Sequence, residues 1–327
     1  MCHLIYTDTF YMKRKWIRWV SWILLTPIIL FVILMVLLYV PPVQNLLRRE
    51  VTAYASKATG MQIQVERIDL RFPLNLLVRG VEVIQQPDTL LSLESLNVRV
   101  QAWPLIKGKV EVDEVTLSRV AVNSADLMEG MKIKGVLGRF FLQSHGVDLS
   151  NELAVINQVE LSDTHVQLLM NDTTTTPKDT TASAPINWKV ALHQLKLKNV
   201  SFSMQLPADS MRMAAHIGEA AIDDAQADLK NQYYDLKKFL LSGTSASYDT
   251  GTAQPAEGFD ASHIAVRDIR IALDSLLYKG RDMNAVIREF TMNERSGLSV
   301  TSLTGRAYSN DSVICVPGLK LNTPHSE

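Results

Sequence analysis

From residue 61 onward, apolar and polar residues alternate along much of the chain. The clearest alternating segments are "MQIQVERIDL" from Met61, "LLVRGVEVIQ" from Leu76 and "SLESLNVRVQ" from Ser92. A period of two residues is typical of a half-buried β-strand, in which successive side chains point to opposite faces of a sheet. The pattern predicts a mainly β region over residues 61–327.

A longer signature recurs within this region: an apolar pair, two polar residues and a second apolar pair. It reads "VDEVTLSRVAV", "INQVELSDTHVQL", "LHQLKLKNVSFSM", "IGEAAIDDAQADL" and "ASHIAVRDIRIAL", starting at Val112, Ile156, Leu192, Ile217 and Ala261. Internal repetition of this kind favours a stacked β-array over a unique globular core.

The two polar residues in the middle of each repeat have two interpretations. The favoured one is a tight hairpin, in which the residues flanking a two-residue loop face each other and share one side. The alternative is a β-bulge, which restores the alternation after one extra residue. In both cases each repeat presents one apolar face and one polar face. The five interruptions are Ser118-Arg119, Ser162-Asp163, Lys198-Asn199, Asp223-Asp224 and Arg267-Asp268.

An array with one apolar face can bury that face in two ways. It can pack on a second sheet as a sandwich about 10 Å thick, or it can curl into an open trough. The pattern alone favours the sandwich. Segments 171–185 and 242–262 are rich in Thr, Ser, Ala, Gly and Pro without periodicity, so they are predicted to be loops, whereas 233–243 fits either a strand or a short helix.

An apolar run covers residues 17–40, has no charged residue after Arg18, and is predicted to be a transmembrane helix. Its 24 residues would form a helix about 36 Å long, enough to cross a bilayer core of roughly 30 Å. It is longer than the core of a cleavable signal and lacks a small-residue cleavage site. Basic residues before it predict a cytoplasmic tail over residues 1–16, with Met12 as a possible true start.

Residues 41–60 begin with two prolines and carry apolar residues at helical spacing. They are predicted to form a juxtamembrane amphipathic helix that ends at Gly60. A plain connecting helix packed on the first strands is the equal alternative.

Composition and motifs point away from catalysis and from nucleic acid. The chain has 33 basic and 34 acidic residues without a basic stripe, and only two cysteines, Cys2 and Cys315. The seven histidines form no metal-ligand spacing, and no nucleophile, P-loop or dinucleotide motif occurs. We expect no catalytic residues, no metal and no cofactor. His165 and His193 are expected to face solvent, and Cys315 is expected in a strand.

The order of these features resembles the AsmA-like proteins, the TamB group among them. The closest stretch is "VRVQAWPLIKGKVEVDEVTLSRVAV", residues 98–122. The resemblance implies an anchor in the bacterial inner membrane followed by a periplasmic, curled antiparallel β-sheet that forms an open, taco-like groove. It also implies assistance in phospholipid transport to the outer membrane, or in outer-membrane biogenesis.

The expected partners are membrane phospholipids, and an outer-membrane protein or another chain that extends the β-edge near Val313–Leu321. An anchored sandwich that docks an outer-membrane assembly partner without carrying lipid is the alternative function. The resemblance carries no motif of functional residues, so the groove-lining candidates come from the repeats: Val115, Leu117, Val159, Leu161, Leu195, Leu197 and Ile222.

Overall fold

The computed structural model describes residues 40–326, except 73, 86, 102, 105–110, 125–129, 149–150 and 171–186. The predicted tail, all but the last residue of the predicted transmembrane helix and the predicted loop at 171–185 therefore lie outside the described residues. In the part that is described, no helix combines the length and apolar character needed to cross a membrane.

Helix α1 covers Pro41–Thr59 and confirms the helix predicted from the apolar spacing. Two prolines occupy its first turn, where their missing N–H groups would have no helical partner. Gly60 ends the helix in a left-handed conformation with φ of 70°, and its N–H donates to the carbonyl of Ser56. The predicted stop at Gly60 is confirmed.

Within the described residues, fourteen β-strands follow the helix. They are β1 (Gln62–Arg71), β2 (Asn75–Gln85), β3 (Asp88–Val100), β4 (Val112–Asn123), β5 (Met131–Asp148), β6 (Leu153–Met170), β7 (Lys189–Leu206), β8 (Met211–Asp228), β9 (Tyr233–Asp249), β10 (His263–Lys279), β11 (Asp282–Glu294), β12 (Ser299–Ser309), β13 (Ile314–Cys315) and β14 (Lys320–Asn322). A short 3₁₀ helix at Pro207–Asp209 joins β7 to β8.

All fourteen strands belong to one open, curled sheet, and β1 to β13 follow one another in chain order, with β14 paired beside β13 on β12. The mainly β, curled-sheet prediction is confirmed at this level, while the favoured sandwich is wrong for the described residues because no second sheet lies against the first. The prediction of an antiparallel sheet holds at every junction but one. Strands β6 and β7 pair in parallel, which divides the sheet into two antiparallel halves.

The favoured hairpin interpretation of the polar interruptions is wrong. Each repeat runs through its interruption as part of one continuous strand, in β4, β6, β7, β8 and β10. The second residue of every interruption has a left-handed backbone, with φ between 46° and 55°: Arg119, Asp163, Asn199, Asp224 and Asp268. A single left-handed residue inside a strand is the geometry of a bulge, which resets the alternation of side chains.

Three of these left-handed residues, Arg119, Asp163 and Asn199, line up across the sheet in a row that we call the crease, whereas Asp224 lies outside it because β8 crosses the crease at Gly218. Between flanking pairs such as Leu93↔Val120 and Ser95↔Ser118, one residue of each strand is left out of the ladder. From β1 to β9 these residues are Glu66, Gly80, Glu94, Arg119, Gly138, Asp163, Asn199, Gly218 and Gly243. The left-handed members all lie on strands that run in one direction.

Backbones approach closely at the crease, which explains its glycines. A Cβ added to Gly138 would come 2.7 Å from the Cβ of Asp163, and one added to Gly218 would come 2.8 Å from the carbonyl oxygen of Gly243. Where both facing residues carry side chains, polar contacts join them: Arg119 forms an ion pair with Glu94, and Asn199 Nδ2 donates to Asp163 Oδ1 over 2.8 Å.

Two further predictions are corrected or resolved in β9. Residues 242–249 were predicted to belong to a loop, but they complete β9 because they pair with β8 on one side and β10 on the other. The loop is confined to residues 250–262. The segment 233–243, for which a strand or a helix was open, is a strand.

The two edges of the sheet differ. Side chains of α1 donate to outward-facing carbonyls of β1, from Gln44 Nε2 to Leu70 over 3.0 Å and from Arg48 Nη1 to Val65 over 3.0 Å. The other edge, β12, carries only the short strands β13 and β14, whose residues are exposed. Cys315 lies in β13, as expected, and is an exposed free thiol.

Candidate functional site: an apolar face built from aligned strand positions

Strand register brings the repeated apolar residues into straight rows that cross the sheet. Residues directly opposite each other on paired strands lie on the same face. One such row joins four of the seven predicted lining residues, Val115, Val159, Leu195 and Ile222. From β1 to β12 it contains Leu70, Leu76, Val98, Val115, Leu142, Val159, Leu195, Ile222, Phe239, Leu273, Ile287 and Gly305.

The neighbouring row on the same face joins the other three predicted residues, Leu117, Leu161 and Leu197. It is apolar from β1 to β12 and continues to β14. Its members are Ile68, Val78, Leu96, Leu117, Phe140, Leu161, Leu197, Ala220, Leu241, Ile271, Phe290, Leu303 and Leu321. The structure therefore brings all seven predicted residues together on one face.

The apolar face continues on the other side of the crease, where a third row follows the second. Because the extra left-handed residue resets the alternation, Leu117 and Val120 lie on the same side although they are three residues apart. The next row is again apolar except for Thr164, whose hydroxyl is hydrogen-bonded to the carbonyl of Ser162. It contains Val65, Val81, Leu93, Val120, Leu137, Thr164, Val200 and Ile217.

The opposite face has the opposite chemistry. The row that includes Ser118, next to Leu117 in β4, consists of charged and hydroxyl side chains. It contains Arg67, Arg79, Ser95, Ser118, Arg139, Ser162, Lys198, Glu219 and Ser242. The sheet thus has one apolar face, as the repeats predicted, and an opposite face that is polar along this row, whereas the next row on that face also contains Leu77, Phe141 and Leu240.

The apolar face is only partly covered. All seven candidate residues are half-buried, and none falls in the buried class. Among the described residues no large side chain is fully enclosed, and the few buried apolar side chains are spread over several strands, from Leu90 to Val300. A closed core would enclose its large side chains. The face is therefore available to an apolar ligand.

Sequence reasoning missed most of the residues in these rows. It found the repeats in five strands but not the matching positions in the others, such as Val98, Leu142, Phe239 and Leu273. Their strands alternate as well, so the signal was present, but register between strands is needed to show that these residues extend the same rows.

Polar clusters on the described residues give no sign of catalysis. His165 and His193 are exposed, as expected. Ser201 Oγ lies 2.9 Å from His216 Nδ1 beside a cavity of about 660 Å³. No three His, Cys, Asp or Glu side chains in the described parts are placed to hold a metal ion. The expected absence of catalytic, metal and cofactor sites stays a prediction.

The lowered pKa values among the described residues belong to carboxyl groups that hold turns and loops. In the β8–β9 turn, a hydrogen bond from the Asn231 side chain lowers the pKa of Asp228. After β11, hydrogen bonds from Ser296 lower the pKa of Glu294. These carboxylates stabilise local loops.

No protein-family model matches this chain, and no curated protein matches it either. The resemblance to AsmA-like proteins therefore stays a prediction that rests on the order and pattern of the sequence.

Proposed function

We propose that this chain is a membrane-anchored groove protein that holds phospholipid acyl chains against its apolar face and helps to move them from the bacterial inner membrane toward the outer membrane. The observation that carries this proposal is the set of apolar rows on one face of a single sheet. An exposed apolar surface of this extent on a protein normally marks a ligand groove or an interaction site.

The length of the apolar rows is compatible with bound acyl chains. Neighbouring strands lie about 4.8 Å apart, so a row across twelve strands is roughly 50 Å long. One leaflet of a bilayer core is about 15 Å thick, half of roughly 30 Å. Each row could therefore accommodate acyl chains placed one after another.

The anchor and the location follow from the sequence. The apolar run at residues 17–40 would hold α1 and the first strands at the membrane surface, with the sheet on the periplasmic side. Because α1 covers the outer edge of β1, the apolar rows begin beside the helix that follows this proposed anchor.

The test uses the full chain, extracted under mild conditions and examined by native mass spectrometry. Wild type is expected to carry phospholipid, and Leu117→Asp is expected to lose it, because a carboxylate on the apolar row is costly to bury beside acyl chains. Thr116→Asp is the matched control, since it places the same charge one residue away on the opposite face. Leu161→Gln is a milder second variant if Leu117→Asp fails to fold.

Three outcomes would contradict the proposal. The wild type could carry no lipid, Leu117→Asp and Thr116→Asp could retain lipid equally, or the variants on the apolar face could lose lipid only when they unfold. If the protein is lipid-free and a crosslinker placed within Val313–Leu321 captures an outer-membrane assembly protein, the alternative scaffold function is favoured.

A further inference from the structure

A cavity of about 690 Å³ lies between α1 and the first two strands, and it contains both signs of charge. Arg48, Arg49 and Thr52 line it from the helix. Glu66 and Glu82 line it from β1 and β2. Arginines and carboxylates facing one cavity suit a ligand that itself carries both charges.

The position of Arg48 is fixed by the sheet. Its Nη1 donates to the carbonyl of Val65 over 3.0 Å and to the carbonyl of Glu66 over 3.2 Å. These bonds use one nitrogen of the guanidinium and hold the group at the cavity wall. The group is therefore positioned before any ligand arrives.

Two donors at this wall lack partners. Arg48 Nε and Thr52 Oγ1 are shielded from solvent, and neither has a hydrogen-bond partner in the described part of the chain. Residues four apart lie on the same face of a helix, so the two groups are neighbours. Buried polar groups are normally paired, and an N–H and an O–H beside a second arginine call for an anion.

The carboxylates of Glu66 and Glu82, on the strand side of the cavity, are also available to bind a ligand. None of the ion pairs found among the described residues involves Arg49, Glu66 or Glu82. Gly80 makes room for one of these carboxylates, because a Cβ there would come 2.7 Å from Glu66 Oε2. An ammonium group could bind at this side by charge-assisted hydrogen bonds.

We propose that this cavity binds a phosphoethanolamine group, with the phosphate at Arg48, Arg49 and Thr52 and the ammonium at Glu66 and Glu82. Ile63 and Val65 line the same cavity and belong to strand positions on the apolar face. The acyl chains of a phospholipid held by its headgroup would therefore continue onto the rows. The assignment of the ligand as a lipid rests on the proposed function, whereas the headgroup chemistry does not.

Calorimetric titration of the full chain in a non-ionic detergent tests the assignment with three probes. These are dihexanoyl phosphatidylethanolamine, dihexanoyl phosphatidylglycerol and soluble glycerophosphoethanolamine. We expect the ethanolamine lipid to bind about tenfold more tightly than the glycerol lipid, the scale set by one hydrogen bond to a charged group. Thr52→Val should weaken both lipids, and Glu82→Gln should remove the preference between them.

Lys57→Gln is the matched control, because it removes a positive charge from the last turn of the same helix and does not line the cavity. It should bind as wild type does. Equal affinity of wild type for the two lipids, or unchanged binding by both Thr52→Val and Glu82→Gln, would overturn the proposal. Glycerophosphoethanolamine binding as tightly as the lipid would support the chemistry and overturn the lipid source.

The groove proposal and the cavity proposal can be refuted independently. Leu117→Asp is expected to lose co-purified lipid and still bind glycerophosphoethanolamine. If it loses lipid while the cavity variants keep wild-type selectivity, the cavity assignment is wrong and the groove stands. If it keeps its lipid while wild type prefers ethanolamine, the groove is wrong and the cavity stands.

Discussion

Asp260 organises the loop that joins β9 to β10. Its carboxylate accepts hydrogen bonds from the backbone N–H of Ala256 over 3.0 Å and of Ser262 over 2.9 Å. His263 Nδ1 lies 2.9 Å away at the start of β10. The two backbone hydrogen bonds, followed by the histidine, lower the pKa of Asp260 to about 2. One side chain therefore fixes how the chain enters the next strand.

Stability should depend on the ionisation of Asp260. Because its pKa in the fold lies below the value of 3.8 for an unperturbed group, its contribution is present above about pH 4 and lost as the pH falls toward 2. Asp260→Asn is expected to lower the melting temperature at neutral pH, with a difference from wild type that shrinks between pH 4 and 2. Thermal unfolding at a series of pH values measures this.

Glu257→Gln serves as the control for Asp260, since it removes a charge from the same loop and leaves these hydrogen bonds in place. It should follow wild type at every pH. A constant difference between wild type and Asp260→Asn down to pH 2 would contradict the assignment.

Some single residues could be interpreted from sequence alone. Gly60 follows the last helical residue and has the conformational freedom that a helix end requires, so its role was predictable. Arg48, Thr52, Glu66 and Glu82 were not, because they come from separate elements and meet only when α1 packs on β1. The sequence signal was limited to two adjacent arginines after the predicted anchor.

At the scale of elements, the crease explains why the repeats have their form. A strand that crosses it carries one residue that is left out of the ladder, which keeps its apolar side chains on one face, and this residue is left-handed in β2, β4, β6, β7 and β9. Asp and Asn adopt the left-handed conformation more readily than other non-glycine residues, and Asp163 and Asn199 occupy such positions in the crease. A hairpin would restore the alternation equally well, so the local pattern could not separate the two.

Asn199 provides a test of the crease. A β-branched residue tolerates a left-handed backbone poorly, so Asn199→Val should lower the free energy of unfolding by about 1–2 kcal/mol. Asn199→Gly loses the same hydrogen bond to Asp163 without the backbone cost, so it should be milder. Denaturant unfolding measures both.

Lys198→Val is the control for this position, because Lys198 is the neighbouring strand residue and pairs regularly with Ser162 and Glu219. Its effect should be within about 0.5 kcal/mol, as for most surface changes. If Asn199→Val is no more harmful than Lys198→Val, the left-handed residue is not needed to continue the strand.

Strand pairing also determined two features of the fold that the sequence alone did not predict. Residues 242–249 have the Ser, Gly, Thr and Ala composition of a loop, yet they form strand because β8 and β10 offer partners on both sides. The parallel junction of β6 and β7 was equally hidden, since both strands carry the same repeat and their pattern is the same in either direction.

At the scale of the whole molecule, the described strands make nearly all of their contacts with their neighbours in an open sheet. Stability in such arrays is close to a sum of local contributions, and the ends open first. The two ends are unequal here. Ser56 Oγ accepts the N–H of Ile63 over 3.0 Å, so α1 also binds an outward-facing amide of β1. At the other end, β13 and β14 pair with β12 over two and three residues.

Hydrogen exchange should reveal this asymmetry. In the full chain, we expect amides of β5 to β9 to be the most protected, those of β1 to follow, and those of β13 and β14 to exchange fastest. Ser56→Ala removes the acceptor of the Ile63 amide, so it should speed exchange at β1 and leave β12 to β14 unchanged, which makes the far edge an internal control. Peptide-level exchange followed by mass spectrometry measures all three regions. Equal exchange at the two ends in wild type, together with no change in Ser56→Ala, would mean that α1 does not protect the edge where the apolar rows begin.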